Sequence, residues 1–453
     1  MFINAAALSS ALSNISAMAS LDKSQPGILF NIKDDSVDVY YNSQSKAIIE
    51  TIPAIVEEDD IKGKIVFDYK RLTDTINHCK TSGRVIVEQV EFKLVKNTAG
   101  PGTAKIHVVK TMQTSDGETT STEVVSTNSY ELSWWGTDAL TIQQRILNNP
   151  ACENMFPEDD AMTIDTPDFV SMINEACSGD AKVIYFSPKY NGAFSVNTNS
   201  CVMVKNESKI TKIIPLQTAS AKAIGSIFNS SGVKEIYINT LLDDKGRPFA
   251  CLFFNAEHTL SIYMSASQIA NPHLMSISRY VGMDYKSYQI NLMTDVLKDT
   301  LQSIVSLSTA TDGYLEFVND PDVDGQVNLI MTAENTGSSV NNIYRLRCNT
   351  FNTQREQNEN DTTWFKVPVN TKQFLDIIKN NKEEFTGLDF FEENGAMFLR
   401  IGFVNLARAQ RARDEYRVEK NFTEDQRMTL EDKLDLRERY VDTSYFITVK
   451  QGK

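Results

Sequence analysis

The feature that most constrains the fold of this chain is a sequence phrase that occurs three times at nearly equal spacing. In each copy an extended apolar stretch meets a residue that can cap a helix, and four residues later an apolar residue begins an i, i+4 pair. The caps and pairs are Asp68 with Leu72/Ile76, Ser220 with Ile224/Phe228, and Asn370 with Phe374/Ile378. The spacings are 224 − 72 = 152 and 374 − 224 = 150 residues. Each copy therefore predicts a strand followed by an amphipathic helix with one buried stripe.

A second, earlier helix is predicted ahead of each phrase, because apolar residues recur there at helical spacing. Its stripes are Leu8/Leu12/Ile15, Phe169/Ile173 and Leu297/Leu301/Ile304. Short strand pairs follow these helices at 27–32 with 37–42, 182–187 with 193–198, and 314–318 with 327–333. Further strands follow each second helix at 84–92, at 235–239 with 248–255, and at 385–391 with 397–403. Helix, strands, helix, strands is typical of an α+β domain, an antiparallel sheet with two helices on one face.

Three such domains fit the length of 453 residues, at roughly 150 residues per domain. The predicted domains are 1–160, 161–270 and 280–453. The first contains an extension over 97–160, in which the polar stretch 113–129 is a long loop or a hairpin tip. The third contains a charged insertion over 404–440, predicted to form one or two solvent-exposed helices. That insertion is either a plain exposed element or a partner-binding one.

Composition and motifs exclude several classes of protein. An apolar fraction of 41% rules out wholesale disorder, and no run approaches the ~18 apolar residues of a membrane span. The six cysteines form no C-x-x-C pair and the four histidines lie apart from them, which argues against a zinc finger and fits a reducing cytoplasm. No phosphate-binding loop, G-x-S-x-G or H-E-x-x-H motif occurs. We therefore expect no catalytic site and no cofactor.

The best metal-site candidate is the acidic stretch that contains Asp320, Asp322 and Asp324. It copies the start of a calcium loop, but the twelfth position, which needs a bidentate glutamate, is Met331. The stretch also lies between two predicted strands rather than between helices. An acidic hairpin turn is the favoured interpretation, and we expect no metal.

The charge balance of 45 − 59 = −14 argues by itself against a nucleic-acid partner. Each repeat nevertheless carries a lysine two residues after its predicted cap, at Lys70, Lys222 and Lys372. A cation in the first helical turn opposes the helix macrodipole, whereas a helix N-terminus together with a lysine favours phosphate. The alternative for each is an ordinary solvated lysine.

The order and spacing of these features resemble the bacterial-type β sliding clamp, the DNA polymerase III β subunit family, as carried by bacteria and some large phages. The resemblance rests on the threefold repeat, on the stretch 5–20 followed by Gly-Ile-Leu-Phe-Asn-Ile from Gly27, and on the phrases at 67–72 and 367–378. It covers the chain except for about 97–160 and 404–440. It implies a non-enzymatic processivity factor in which two three-domain protomers close head to tail around duplex DNA. An acidic exterior and a basic pore would reconcile the net charge with a DNA partner.

The resemblance also implies two sites and a cytoplasmic location, in bacteria or in an infected host cell. Pore-facing cations would hold DNA phosphates without reading sequence, and the candidates are Lys23, Lys70, Arg71, Lys80, Lys222, Lys298, Lys372, Lys379 and Lys382. An apolar cleft would bind short linear peptides of the replicative polymerase and the clamp loader, and its candidates are Phe186, Asn197, Ser200, Val202, Val281, Met397, Ile447 and Val449.

The sequence departs from the family within that cleft. Asn199-Ser200-Cys201-Val202 replaces a Gly-His-Arg-Leu-like stretch, and the Met-rich tail is missing. The cleft residues are therefore either a peptide site or plain core.

Two other functions compete with the clamp. One is a non-enzymatic virion or scaffold protein built from repeated α+β domains, with no DNA at its centre. The other, less favoured for want of any motif, is an enzyme. A two-domain trimeric clamp is disfavoured because three repeats are present. A closed ring would distinguish the clamp, because it resists salt on circular DNA but leaves linear DNA at its ends.

Overall fold

The structure is a computed structural model of the 453-residue chain. It describes every residue except 22–26, 44, 80–84, 99, 116–119, 137–159, 178–181, 189–190, 197–199, 206–208, 268–288, 308–311, 320–326, 336–337, 347–362, 380, 394–395, 424–425, 427–431, 433–435, 437–438, 440, 442 and 450–453.

The helices and strands occur in a similar order three times, and the first copy has one strand more than the second. The first repeat consists of β1 (Phe2–Asn4), α1 (Ala5–Ala19), β2 (Ile28–Ile32), β3 (Ser36–Asn42), β4 (Lys46–Ile55), β5 (Gly63–Phe67), α2 (Tyr69–Asn77), β6 (Val85–Ile86), β7 (Gln89–Val95), β8 (Gly102–Ser115) and β9 (Thr120–Trp135). The second consists of β10 (Met162–Asp165), α3 (Thr166–Ala176), β11 (Val183–Ser187), β12 (Gly192–Val196), β13 (Ser200–Lys205), β14 (Ile214–Gln217), α4 (Thr218–Ser230), β15 (Glu235–Leu242), β16 (Pro248–Phe254) and β17 (Leu260–Ser265).

The third repeat follows the same order with one additional helix. It consists of β18 (Gln289–Met293), α5 (Thr294–Leu307), β19 (Asp312–Asn319), β20 (Val327–Asn335), β21 (Ser338–Leu346), β22 (Thr363–Asn370), α6 (Thr371–Lys379), β23 (Phe385–Glu393), β24 (Ala396–Val404), α7 (Leu406–Glu419) and β25 (Thr443–Val449). The alternation of helices and strands is as the sequence predicts. The sequence pattern leaves several strands unpredicted, among them β4, β13 and β21. Strand β4 contains Pro53, a residue that is unfavourable in strands.

The chain divides into two compact units. The first unit comprises residues 1–171 and 208–268, and the second comprises 172–207 and 269–453. The predicted domain boundaries near 160 and 270–280 lie beside segments outside the described residues, so they stay a prediction.

In the first unit, eight antiparallel strands close on themselves in the order β1-β7-β8-β9-β5-β2-β3-β4, because Phe2 of β1 also pairs with Ile55 at the end of β4. The other end of β4 pairs with β17, and the sheet continues through β16 and β15 to β10. One strand thus belongs to both the closed sheet and its extension into the second repeat.

In the second unit, β11, β12 and β13 continue through β25, β24 and β23 to β18. A separate antiparallel sheet has the order β21-β20-β19-β22. The prediction of one sheet per domain is therefore wrong in one respect: sheets run across repeat boundaries. The physical reason is that the main-chain groups of an edge strand need partners, and the neighbouring repeat supplies them.

The buried helical stripes predicted from the sequence are confirmed. Among the second helices, Leu72, Ile224, Phe228, Phe374 and Ile378 are fully buried. The earlier helices α1, α3 and α5 likewise bury Leu8, Leu12, Ile15, Phe169, Ile173, Leu297 and Leu301. The side chain of Ile304, which completes the predicted stripe of α5, lies outside the described part of the structure. Burial of each such side chain stabilises the fold by about 1.5–3 kcal/mol before entropy is counted. These stripes hold the helix layer on the sheets.

The predicted caps have different outcomes in the three repeats. Asp68 caps α2, since its Oδ1 accepts a hydrogen bond of 2.8 Å from the Arg71 amide. Asn370 stands directly before α6. Ser220 is not a cap, because α4 begins at Thr218 after Gln217 and lacks a side-chain cap. Alanine-rich sequence around Ser220 favours helix, so α4 extends one turn back to the end of β14.

The polar stretch 113–129 is the tip of a long hairpin, one of the two predicted alternatives. Strand β8 pairs with β9 out to Ser115 and Thr120. The register shifts at Lys110/Thr111, where Ser126 and Val124 are the partners, so Val125 forms a β-bulge.

The charged insertion is less exposed than predicted. Helix α7 confirms one predicted helix, but its Tyr416 is fully buried in a small cluster with Ala412, Leu436 and Phe422. The hydroxyl of Tyr416 donates to Asp432 at 3.1 Å. A purely solvent-exposed insertion is therefore wrong, because one face of α7 carries its own apolar contacts.

The cap of α2 makes a testable prediction about stability. Replacing Asp68 with alanine leaves the Arg71 amide without its acceptor and should lower the free energy of unfolding by about 1 kcal/mol. The matched control is Asp74→Ala, an exposed aspartate inside the same helix, which should change it by less than about 0.5 kcal/mol. Urea titration followed by circular dichroism measures both, and equal reductions would contradict the cap.

Candidate nucleic-acid interface

A buried asparagine ties the helices of the first unit together. The side chain of Asn14 in α1 is 4% exposed. Its Nδ2 donates to Glu50 Oε2 at 3.0 Å and to Ser231 Oγ at 3.1 Å, while Ser230 Oγ donates to its Oδ1 at 3.2 Å. Because Ser230 ends α4, these bonds fix α4 of the second repeat against α1 of the first.

Tyr69 at the start of α2 adds a further tie, since its hydroxyl donates to Ser16 Oγ in α1 at 3.1 Å. The start of α2, with its basic side chains, is thereby held beside α1.

A second buried asparagine has the corresponding role in the second unit. Asn381, two residues after the end of α6, is fully buried. Its Nδ2 donates to Thr294 Oγ1 at 3.1 Å and to Thr386 Oγ1 at 2.8 Å. Lys298 of α5 donates to the Asn381 carbonyl at 2.7 Å. Helices α5 and α6 are thus fixed side by side.

The three recurring lysines do not occupy one common position. Lys70 and Lys372 are the second residues of α2 and α6, as predicted, and both are exposed. Lys222 is the fifth residue of α4, one turn further along, because that helix starts earlier than predicted. The helix-terminus argument for phosphate therefore applies to Lys70 and Lys372 but not to Lys222. Within the described part of the chain, no ion pair or hydrogen bond engages any of the three ammonium groups.

The remaining basic candidates differ in their exposure and in the contacts that their side chains already make. Arg71 and Lys382 are exposed. Lys379 is half exposed and lies 3.7 Å from the Asp376 carboxylate, a surface pair that costs little to exchange for a phosphate. Lys298 is committed to the Asn381 carbonyl. Lys23 and Lys80 lie outside the described residues.

An acidic groove marks a part of the first unit that disfavours DNA. Its volume is about 740 Å³, and its lining includes Glu50, Asp165, Glu235 and Glu257 against the single cation Lys234. Carboxylates in this number repel phosphate. Part of the acidic surplus of the chain is therefore gathered in this groove of the first unit.

The residues of the predicted peptide cleft lie on neighbouring strands of the second unit. The register puts Ser200 opposite Ile447, and Met397 opposite Val449, across β13, β25 and β24. Phe186 and Val202 are 0% and 4% exposed, so both are core side chains. Asn197 and Val281 fall outside the described residues.

Sequence reasoning missed both buried asparagines. Asn14 stands within the helical stripe of Ala11, Ile15 and Met18. A polar residue inside an apolar stripe is the signal that could have found it, because such a residue needs a buried partner. Asn381 follows its helix and carries no comparable signal.

Among the described residues, no helix combines the length and apolar character of a membrane span. No cluster of histidine, cysteine, aspartate or glutamate with the arrangement of a metal site occurs in the same part of the chain.

The chain is similar over its whole length to solved structures of bacterial clamps. The DNA polymerase III β chain of Streptococcus pneumoniae has 12% identity and a TM-score of 0.62, with 100% of this chain and 99% of that chain covered. The DNA polymerase sliding clamps of Pseudomonas aeruginosa and Bacillus subtilis have 10% and 11% identity and TM-scores of 0.62 and 0.61, at the same coverage. No protein-family model matches the chain, and no curated protein sequence matches it significantly.

These structures define the class of fold. The chain has the sliding-clamp fold, built from antiparallel sheets with helices packed on them. The resemblance seen in the sequence is confirmed at this level, and the identities of 10–12% make the chain a divergent example.

The contact between Asn14 and Glu50 makes a testable prediction about pH. Burial raises the pKa of the Glu50 carboxyl above its ordinary value of 4.5, and the hydrogen bond from Asn14 offsets part of that effect. A raised folded-state pKa stabilises the fold fully below 4.5, and this contribution is lost as pH rises through the folded-state pKa. Replacing Glu50 with glutamine should therefore stabilise the protein increasingly, relative to the unmodified chain, as pH rises from 4.5 towards 8.

Thermal melts at several pH values measure this difference. The matched control is Glu235→Gln, an exposed glutamate that lines the same groove. A difference between Glu50→Gln and the unmodified chain that is constant across pH would contradict the assignment.

Proposed function

We propose that this chain is a DNA sliding clamp, a processivity factor that encircles duplex DNA and tethers the replicative polymerase and other replication proteins. The observation that carries the proposal is the whole-length similarity to solved clamps at a TM-score of 0.62. Tethering needs no catalytic group, because holding a polymerase at high effective concentration beside its template is enough. No cofactor or metal enters this function.

The proposed assembly is a head-to-tail homodimer in which each protomer contributes three domains, at 1–160, 161–270 and 280–453. The element order that repeats three times supports this division. With six domains, the ring would present six pairs of helices to the DNA.

The proposed DNA contacts come from exposed cations on these helices. Lys70 and Lys372 at helix N-termini, with Arg71, Lys222, Lys379 and Lys382, would meet backbone phosphates. Such contacts carry no sequence information, which permits sliding. Helix ties through Asn14 and Asn381 would hold the cations in place without adding charge of their own.

The proposed partner site is the part of the second unit formed by β13, β24 and β25. The adjacency of Ser200, Ile447, Met397 and Val449 along these strands supports it. A short extended peptide of the polymerase or of the clamp loader is the proposed ligand. Burial of Phe186 and Val202 means that these two residues support the floor of such a site rather than contact the peptide.

The competing function is a virion or scaffold protein with no DNA at its centre. It accounts for repeated α+β domains but gives no reason for the exposed lysines at the starts of α2 and α6, which no described residue engages. The two functions differ in one testable property, because only a clamp would encircle DNA and be held on a circle.

Retention on circular DNA tests the proposal. The chain is incubated with nicked circular duplex DNA, so that rings that dissociate and re-form can close around it, and is then washed in about 1 M salt, where charge contacts are screened. We expect a dimer of twice 50.9 kDa that stays on circles and is released after linearisation. A monomer, or retention indifferent to DNA ends, would overturn the clamp function.

Charge removal tests the proposed contacts. The triple variant Lys70→Gln, Arg71→Gln, Lys372→Gln should weaken DNA binding and reduce the slope of log affinity against log salt by roughly 0.9 for each phosphate that is no longer neutralised. The control is Lys245→Gln, an exposed lysine in the turn between β15 and β16, which should leave the slope unchanged. If the slope of log affinity against log salt were the same for both variants, DNA would bind at other residues.

A further inference from the structure

The first turn of α7, the helix of the charged insertion, lies beside the segment that follows α6. Asn405 caps α7, since its Oδ1 accepts a hydrogen bond of 3.0 Å from the Arg408 amide. Its Nδ2 donates to Glu383 Oε2 at 2.8 Å. Glu383 follows Lys379, the last residue of α6, by four positions. The start of α7 is therefore tied to the end of α6 by a side-chain contact.

The other end of α7 is held by Arg439. Its guanidinium carbon lies 4.7 Å from the centre of the buried Tyr416 ring. Two hydrogen bonds join the same guanidinium to the Glu419 carboxylate, from Nη1 to Oε2 at 2.7 Å and from Nη2 to Oε1 at 3.2 Å. A bidentate pair of this kind fixes direction as well as distance. Because α7 is held at both ends, its exposed side chains occupy defined places on the third repeat.

The charges of α7 are arranged in an order that does not favour a helix. A helix is stabilised by acids near its N-terminus and by cations near its C-terminus. In α7, three of the four arginines lie in the first half, residues 406–413, and all three acids lie in the second half, residues 414–419. Helix stability therefore does not account for the arginines of the first half.

Two of these arginines are available to a ligand. Arg411 and Arg413 are exposed, and within the described part of the chain no hydrogen bond or ion pair engages either guanidinium. In the second half of the helix, by contrast, Arg417 donates to the Thr423 carbonyl. The charges of Arg411 and Arg413 thus serve neither the helix nor an internal pair, and an anion from outside the chain would supply their partner.

The surface around the start of α7 is positive although the chain is acidic. Residues 376–384 and 405–413 together carry five cations and three acids, 5 − 3 = +2, in a chain of net charge −14. Two of the three acids are already engaged, since Glu383 accepts from Asn405 and Asp376 lies 3.7 Å from Lys379. The first half of α7 therefore extends the basic surface formed by the end of α6.

We propose that the first half of α7 binds backbone phosphates of DNA through Arg411 and Arg413, so that the DNA contact of the third repeat extends from α6 onto the insertion. The inference deepens the proposed clamp function and rests on it. DNA is the occupant because this surface adjoins Lys379 and Lys382, which the proposed function already gives to phosphates. The planar guanidinium also matches the geometry of phosphate oxygens, and such contacts hold DNA without reading its sequence.

Removal of the two exposed charges tests this site in the full chain. The variant is Arg411→Gln with Arg413→Gln, and its affinity for a short linear duplex is measured as salt is raised fourfold. We expect the slope of log affinity against log salt to fall by roughly 1.8, or 0.9 for each of two phosphates, so that the ratio of the unmodified chain's affinity to the variant's shrinks about tenfold over this range.

The matched control is Lys96→Gln with Lys105→Gln. These two exposed lysines of the first unit remove the same charge, and the slope should stay that of the unmodified chain. Thermal melts report folding. The melting temperature of the α7 variant should not fall, because cations in the first half of a helix do not stabilise it.

Three results would separate this inference from the clamp function. Equal slopes for the two double variants would overturn the α7 site, while retention of the unmodified chain on circles in about 1 M salt would leave the clamp standing. A reduced slope in a chain that circles do not retain would support the site and overturn the clamp. Equal slopes, with poly-glutamate bound by the unmodified chain but not by the α7 variant, would overturn the DNA site and assign α7 to an acidic protein segment.

Discussion

The need of every strand edge for hydrogen-bond partners is the constraint on which the rest of this structure depends. A repeat of this kind cannot satisfy the main-chain groups of its fourth and last strands by itself. Within the chain, β4 takes β17 and β13 takes β25, so that sheets run from one repeat into the next. The repeats are therefore joined by main-chain bonds, which are insensitive to side-chain identity. This explains how a chain only 10–12% identical to solved clamps keeps their fold.

Helix placement depends on a different kind of contact. Apolar stripes such as Leu72 and Phe374 hold the helices on the sheets, whereas directional hydrogen bonds fix one helix against another. That role falls to two buried asparagines, Asn14 and Asn381, whose amides each meet several partners. Because a buried amide without partners is costly, these contacts specify one arrangement. In the proposed function they set where the exposed lysines stand along the DNA.

A net charge of −14 and a DNA partner are compatible when charge is distributed unevenly. The groove lined by Glu50, Asp165 and Glu235 gathers negative charge in one place of the first unit. Lysines at the starts of α2 and α6 are exposed and unengaged by other described residues. The net charge of the chain averages over both regions and therefore argues wrongly against a DNA partner. The position of each lysine on its helix argues for one.

The sequence by itself determined the alternation of helices and strands, the stripes led by Leu72, Ile224 and Phe374, and the cap at Asp68, because these depend on neighbours within a few residues. It misplaced the cap at Ser220, because the alanines there extend the helix towards its N-terminus. It also missed β4, which contains Pro53, a residue that is unfavourable in strands. Only the tertiary structure decided that β4 pairs with β17 and β13 with β25, and that Asn14 reaches Ser231. Those contacts join residues about 200 apart in sequence, and no local pattern encodes a pairing whose partner is set by the closure of whole sheets.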